Sequence, residues 1–288
     1  MKYSVFTVCM PELTVEEAIE KLAGWGYDGV EWRVTNQQPS ADGKPWFWRG
    51  NRCTISLDEV VDRAKDIGER SRAAGIEVAA IASYLSCEKL KDIERIFEAC
   101  VRMGAPQARI GVPNYDGSVN YRRLFRKALT DYARVEKLAR KYGVRANVET
   151  HMGNITPSAS AAYRFVSNFD PASVGVIYDP GNMVIEGFEN HRLGLELLGE
   201  YLAQVHVKNT AWAKGKTGPH GLRLWQMAWT ELKDGQVNWA EVMKALKAVG
   251  YKGWMSLEDF NTRRPTAKRV PDALRLLRKL EASARNEA

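Results

Sequence analysis

The stretch "KYGVRANVET", residues 141–150, ends one amphipathic helix and begins one apolar strand. Gly143 stands at the junction, where the residue after a helix usually turns left-handed and glycine does so without steric cost. The same order recurs in "LAGWGYDGVEWRV" (22–34), "RAAGIEVAAIA" (72–82), "RMGAPQARIGV" (102–112), "LLGEYLAQVHV" (197–207) and "AVGYKGWMSLE" (248–258). A further unit, "SNFDPASVGVIYD" (167–179), places Asp-Pro at the same juncture, and Tyr3–Val8 supplies the first strand. The chain therefore reads as eight strands, each followed by a helix. Without a glycine-rich nucleotide fingerprint, that alternation favours a closed parallel barrel over a doubly wound sheet. The expected fold is α/β, one (β/α)8 TIM barrel spanning 1–288.

Helix starts support the reading. Thr14 with Glu17 and Ser56 with Glu59 have the spacing of capping boxes, and Asn238 precedes Glu241 in the same way. After Asn238, Trp239, Val242, Met243, Leu246 and Val249 form one buried helical stripe. Two connections are long, about 34–56 after strand two and about 209–237 after strand seven. Both leave C-terminal strand ends, the catalytic face of such barrels. They are rich in aromatic residues, among them Trp46, Phe47, Trp48, Trp212, Trp225 and Trp229. These side chains either pack the loops onto the barrel or form a wall that stacks on sugar faces and excludes water.

Composition narrows the function classes. An apolar content of 45% with 27% charge suits a soluble globular chain. No apolar run approaches the roughly 18–20 residues that span a membrane. Cys9, Cys53, Cys87 and Cys100 are scattered without a C-x-x-C, which argues against a disulfide framework and points to the cytoplasm. The net charge of +7 raises nucleic acid as a partner. Yet the basic residues are spread over helices and mixed with acids, so solvated helix faces explain them better than a phosphate track.

Four strand ends carry chemistry. Strand five ends "ANVETH", strand six "GVIYDPGN", strand seven "QVHVKN" and strand eight "WMSLEDF". Where apolar residues give way stand Glu149, Asp179, His206 and Glu258. Strand side chains alternate, so Gln204, His206 and Lys208 face inward if Val205 and Val207 face the helices. The same count turns Asn147, Glu149 and His151 inward. Three buried carboxylates at one point repel unless a cation compensates them. One divalent metal on three oxygens and one nitrogen fits: Mn²⁺ foremost, with Mg²⁺, Co²⁺ or Zn²⁺ as alternatives. The competing account is a buried ion-pair network with Lys208 and Arg33.

At these residues the chain resembles the xylose isomerase-like barrel superfamily, in particular its sugar isomerase/epimerase branch of ketose 3-epimerases, hydroxypyruvate isomerases and inosose dehydratases. "VET" (148–150), "DPGN" (179–182), "HVKN" (206–209) and "LEDF" (257–260) carry the resemblance. It implies that Glu149, Asp179, His206 and Glu258 bind one metal and that Glu149 and Glu258 act as acid and base on a carbohydrate. A proton would leave beside a carbonyl through a metal-bound enediolate, giving isomerisation or epimerisation. The same intermediate can instead expel a leaving group, as in a dehydratase or a lyase on a 3-keto-glycoside or C-glycoside. Homo-oligomers, dimers or tetramers, are also implied. Endonuclease IV shares the barrel, but its histidine-rich three-zinc cluster does not suit a chain with four histidines.

The sequence departs from the ketose epimerases at Asn182, where many carry His, and at Trp212, where many carry Arg. His151, Asn182 and Lys208 are the expected replacements as substrate contacts, joined by Trp48, Trp212 and Arg223. His220 is a weaker candidate. Glu31 and Arg33 either pair in the barrel floor or meet substrate. His191 reads as a surface helix residue.

Overall fold

The computed structural model describes residues 1–284. Strands β1 (Lys2–Phe6), β2 (Gly29–Val34), β3 (Glu77–Ser86), β4 (Gln107–Gly111), β5 (Arg145–Glu149), β6 (Val174–Tyr178), β7 (Leu202–Val207) and β10 (Trp254–Leu257) close one parallel barrel in the order β1-β10-β7-β6-β5-β4-β3-β2. Between them run α1 (Val15–Trp25), α2 (Val60–Ala73), α3 (Leu90–Met103), α4 (Tyr121–Tyr142), α5 (Ala159–Val166), α6 (Pro180–Ile185), α7 (His191–Leu198) and α8 (Trp239–Ala248); α9 (Thr266–Ser283) follows β10. This is the expected (β/α)8 architecture.

The glycine junctions behave as read. Gly26, Gly104 and Gly143 cap α1, α3 and α4 in the left-handed conformation, with φ of 81°, 84° and 63°. The hydrophobic core lies between barrel and helices. Val148, Val176, Val205, Val207 and Leu257 point outward from their strands into it and are fully buried. Strand alternation then commits the intervening side chains to the barrel interior. Thr14 and Glu17 complete a capping box at α1, and Asn238 caps α8 through the backbone N–H groups of Ala240 and Glu241.

Two local expectations need correction. Ser56 and Glu59 form no capping box: α2 begins at Val60, and the Ser56 hydroxyl instead accepts from Asp58 N in a preceding turn. The segment after strand seven is not an irregular loop. Residues β8 (Asn209–Thr217) and β9 (Arg223–Thr230) form a two-stranded antiparallel ribbon outside the barrel. Alternation on either side of the turn "GPHG" explains it. The connection after β2 does lack helix and strand until α2, apart from one bridge between Val34 and Ile55.

Candidate metal centre

Local sequence fixes each donor. In "DPGN", Asp179 caps α6 by accepting from Asn182 N at 3.0 Å, and Pro180 occupies the first helical position, where its missing N–H costs nothing. Gly181 lets α6 approach β7: a Cβ there would stand 2.5 Å from Lys208 Cγ. His206 stacks on Phe6 from β1, with ring centroids 5.7 Å apart. Glu149 and Glu258 end β5 and follow β10.

Together Glu149, Asp179, His206 and Glu258 present one donor atom each, all within 4.8 Å of one another and all buried. His206 Nδ1 lies 3.0 Å from Glu149 Oε1, 3.5 Å from Glu258 Oε2 and 3.7 Å from Asp179 Oδ2. The donor set fits a divalent ion: hard oxygens, one imidazole nitrogen and an excess of negative charge.

Beneath it lies a polar floor. Glu31 is fully buried, with oxygens 3.1 and 3.2 Å from His206 Nε2. A carboxylate only accepts, so Nε2 carries the proton and Nδ1 faces the donors. Gln204 Nε2 donates to Glu31 at 2.6 Å, Gln107 to Gln204 at 3.0 Å, and Asn147 to Gln107 at 2.9 Å. Sequence reasoning left Glu31 between two roles and missed Gln107. Glu31 does not pair with Arg33, whose guanidinium bonds Thr54, Gln37 and Tyr84. Arg109 was missed as well. Its Nη1 donates to Glu149 Oε2 at 2.7 Å, and both side chains are buried.

Burial alone would push the carboxyls of Glu149, Asp179 and Glu258 up. At Glu149, Arg109 and His206 more than reverse it and hold the carboxyl well below the usual range. Lys208 and His206 hold Glu258 down against the same burial. Asp179 stays raised, because burial and its two neighbouring glutamates outweigh Lys208. Burial opposes charge on His206, yet Glu31 and the donor carboxylates lift its pKa well above the ordinary value.

The remaining candidates fall at different places. Lys208 lies among the donors: Nζ is 2.8 Å from Asp179 Oδ2 and also bonds Glu258. Asn182 is fully buried and donates Nδ2 to Glu149, Asp179 and the Thr150 carbonyl, so it holds donors in place. His151 is half-buried and lines a cavity of about 390 Å³ with Tyr84, Arg109, Glu149 and Asn154. Trp48 is 4.9 Å from Phe260, which also packs on Trp229; Lys208 Nζ sits 5.5 Å from the Trp229 ring and 5.6 Å from that of Phe260. An aromatic wall therefore adjoins the donors. Trp212 is turned aside, its indole N–H donating to the Val184 carbonyl. Arg223 lies opposite Thr217, at the far end of the ribbon from Asn209, exposed and bonded to the Gly215 carbonyl. It stands away from the donors, as does His220 in the ribbon's turn. His191 is not a surface residue: it is buried at the start of α7 and bonds the Tyr178 hydroxyl at 2.8 Å.

A family model described as xylose isomerase-like TIM barrel matches residues 19–280. The chain belongs to that family. An inosose dehydratase from Geobacillus thermodenitrificans is 24% identical over 268 residues, which cover 86% of this chain and 82% of that protein. Among solved structures of the same fold, a 3-keto-D-glucoside 4-epimerase from E. coli superposes with a TM-score of 0.71 at 17% identity, covering 97% of this chain and 99% of its own. A probable 3-DHS dehydratase from Bacillus anthracis gives 0.73 at 13% identity, covering 96% and 99%. No helix among the described residues is long and apolar enough to cross a membrane.

Proposed function

We propose that this family member is a divalent-metal-dependent enzyme that removes the proton beside a carbonyl of a sugar or cyclitol. The observation that carries the reading is the convergence of Glu149, Asp179, His206 and Glu258, from four adjacent strands, on one buried point. These four residues would hold the ion, with Mn²⁺ the expected one. When bound, the ion supplies Lewis-acid polarisation of the substrate carbonyl, which acidifies the neighbouring C–H.

The two glutamates are not equivalent. Arg109 occupies Glu149 Oε2, while His206 and Asn182 meet Oε1. Glu258 engages through Oε2 alone, and its Oε1 has no partner among the described residues. Glu258 is therefore the better placed to take up the proton; Glu149, held more strongly ionised, would orient the donors and return a proton on the other face only after drawing one from water in the cavity it borders. Return to the carbon or its neighbour gives an epimerase or isomerase. Loss of a β-substituent gives a dehydratase or lyase, the outcome favoured by the kinship to an inosose dehydratase and by the cavity of about 280 Å³ that Trp46, Trp48, Trp229 and Phe260 line.

Incubation of the Mn²⁺-loaded protein with keto-sugars and inososes in D₂O, followed by NMR, tests the reading. Exchange of one C–H, with an isomer or a dehydrated product, supports it, and Glu258→Gln should abolish that exchange. Exchange undiminished in both Glu149→Gln and Glu258→Gln would refute the two-glutamate chemistry.

A further inference from the structure

Two arginines face the barrel interior on either side of β3, and only one of them has an acid. Arg109 is paired with Glu149. Arg33 is 3% exposed, and no carboxylate among the described residues comes within 4.0 Å of it. Neutral oxygens hold its guanidinium: Nη1 donates to Thr54 Oγ1 at 2.7 Å and Gln37 Oε1 at 3.2 Å, and Nε to the Tyr84 hydroxyl at 3.4 Å. Burying an uncompensated charge is costly, and proteins keep one where a ligand brings the counter-charge.

The strand register brings the two cations together. Arg33 is beside Ala82, and Ala82 beside Arg109, so two strand spacings of about 5 Å separate them with only a methyl group between. Tyr84, two residues on, spans the gap. Its ring centroid is 4.4 Å from Arg109 Cζ and 5.1 Å from Arg33 Cζ. Each arginine keeps an Nη2 without a hydrogen bond among the described residues, and neither Nη2 is among the sealed, unsatisfied interior atoms. Arg109 and Tyr84 line the cavity that reaches Glu149 and His151.

We propose that Arg33, with Arg109 beside it, forms a subsite for an oxyanion, carboxylate or phosphate, carried by the substrate. The inference rests on the metal-dependent sugar chemistry above and narrows its substrate class to acidic sugars. Charge matching supports it. With a divalent ion bound and His206 neutral, the ion, Arg109 and Lys208 offset Glu31, Glu149, Asp179 and Glu258. Among the described residues of this interior Arg33 is then the cation left over, and a single anionic group on the substrate answers it. Planar, bidentate recognition of carboxylate or phosphate is the task for which guanidinium is best shaped. The net charge of +7 draws such ligands toward the protein.

Calorimetric titration of the Mn²⁺-loaded protein with D-glucuronate, D-fructose 6-phosphate and D-fructose tests the subsite, repeated with Arg33→Gln and Arg33→Lys. One anionic sugar should bind at least about tenfold more tightly than D-fructose, the scale of one charge-assisted hydrogen bond. Whether glucuronate or the phosphate ester wins identifies the oxyanion. Arg33→Gln should erase the preference and Arg33→Lys keep part of it, with metal content unchanged. Equal binding of all three sugars by the wild type, or a preference that survives Arg33→Gln, overturns the proposal. If D-fructose binds as well as the acids and its C–H exchanges in D₂O, the subsite fails and the sugar chemistry stands. If the protein takes up no metal, the sugar chemistry fails, and the same Arg33→Gln comparison on metal-free protein still decides the subsite.

Discussion

Replacing Glu31 by Gln isolates what the barrel floor contributes to metal binding. Glu31 is fully buried and accepts from Gln204 Nε2 at 2.6 Å and from His206 Nε2 at 3.1 Å. Glutamine keeps one oxygen for these two donors and puts an NH₂ where the second oxygen stood. Both donors reach Oε2, so the new NH₂ stands where Oε1 accepted from His206 Nε2 at 3.2 Å and faces that N–H donor to donor. One buried donor is thus left unsatisfied, which costs about 1–3 kcal/mol. The imidazole also loses the partner that fixes its tautomer and aims Nδ1 at the donors. Loss of such a partner typically weakens metal binding about 10–100-fold, or about 1.4–2.7 kcal/mol. Competition with a chromophoric chelator, titrated with Mn²⁺ and Co²⁺, measures this directly. Glu77→Gln serves as control, because Glu77 is exposed and its carboxylate bonds only Lys2 among the described residues. Metal affinity within twofold of wild type in Glu31→Gln would refute the reasoning, and would mean that His206 needs no orienting carboxylate.

Lys208→Met should destabilise the metal-free protein by roughly 3–5 kcal/mol, because it leaves Asp179 and Glu258 without their buried ammonium. Adding Mn²⁺ should raise the melting temperature of the variant more than that of wild type; equal increments would count against a shared role for lysine and metal at these carboxylates. The pH dependence has a definite sign. In the metal-free protein the His206 pKa is raised well above 6.5, so its stabilisation is complete below about pH 6.5 and lost as pH rises through the folded value. Glu149 and Glu258 are depressed below 4.5, so theirs is present above about pH 4.5 and lost as pH falls through their folded values. A metal needs neutral imidazole, so chelator competition should show tighter Mn²⁺ binding at pH 8 than at pH 6, and the reverse order would contradict the assignment of His206 as a ligand.

The barrel was legible because its signals are local. Each helix–glycine–strand junction announces itself within a dozen residues, and Gly26, Gly104 and Gly143 adopt the conformation that the reading required. The donors were legible for a related reason: Glu149, Asp179, His206 and Glu258 interrupt apolar runs at strand ends. What was missed depends on pairings across the barrel. Glu31 and His206 are 175 positions apart, and Arg109 and Glu149 are 40. A partial signal existed, since strand parity applied to "PQARIG" turns Gln107 and Arg109 to one face. Parity does not say which neighbour an inward arginine meets. The ribbon was misread because both of its strands leave the barrel, although "TAWAKGKT" and "RLWQMAWT" flank a turn sequence. His191 was misread because helical placement alone does not distinguish an exposed first turn from one packed on Tyr178.

A structural ion-pair network is the rival account of this interior, and the distribution of charge argues against it. A network kept for stability would match its acids and bases. Without a metal, four carboxylates face Arg109, Lys208 and a protonated His206, which leaves one acid unmatched, while Arg33 is bonded to neutral oxygens. Asp179 keeps a raised pKa despite an ammonium at 2.8 Å, so its charge is incompletely compensated. Buried ion pairs are often no more stable than apolar residues of the same volume, and barrel interiors of this kind are ordinarily filled by Val, Ile and Leu. The acids are also gathered on one side. Asp179 and Glu258 share Lys208 and Glu149 borders an open cavity, while the floor donates in one direction, from Asn147 to Gln107 to Gln204 to Glu31, and Glu31 also accepts from His206. Stability gives no reason for that polarity, whereas a site that must hold a cation and receive a charged substrate from the cavity side requires it.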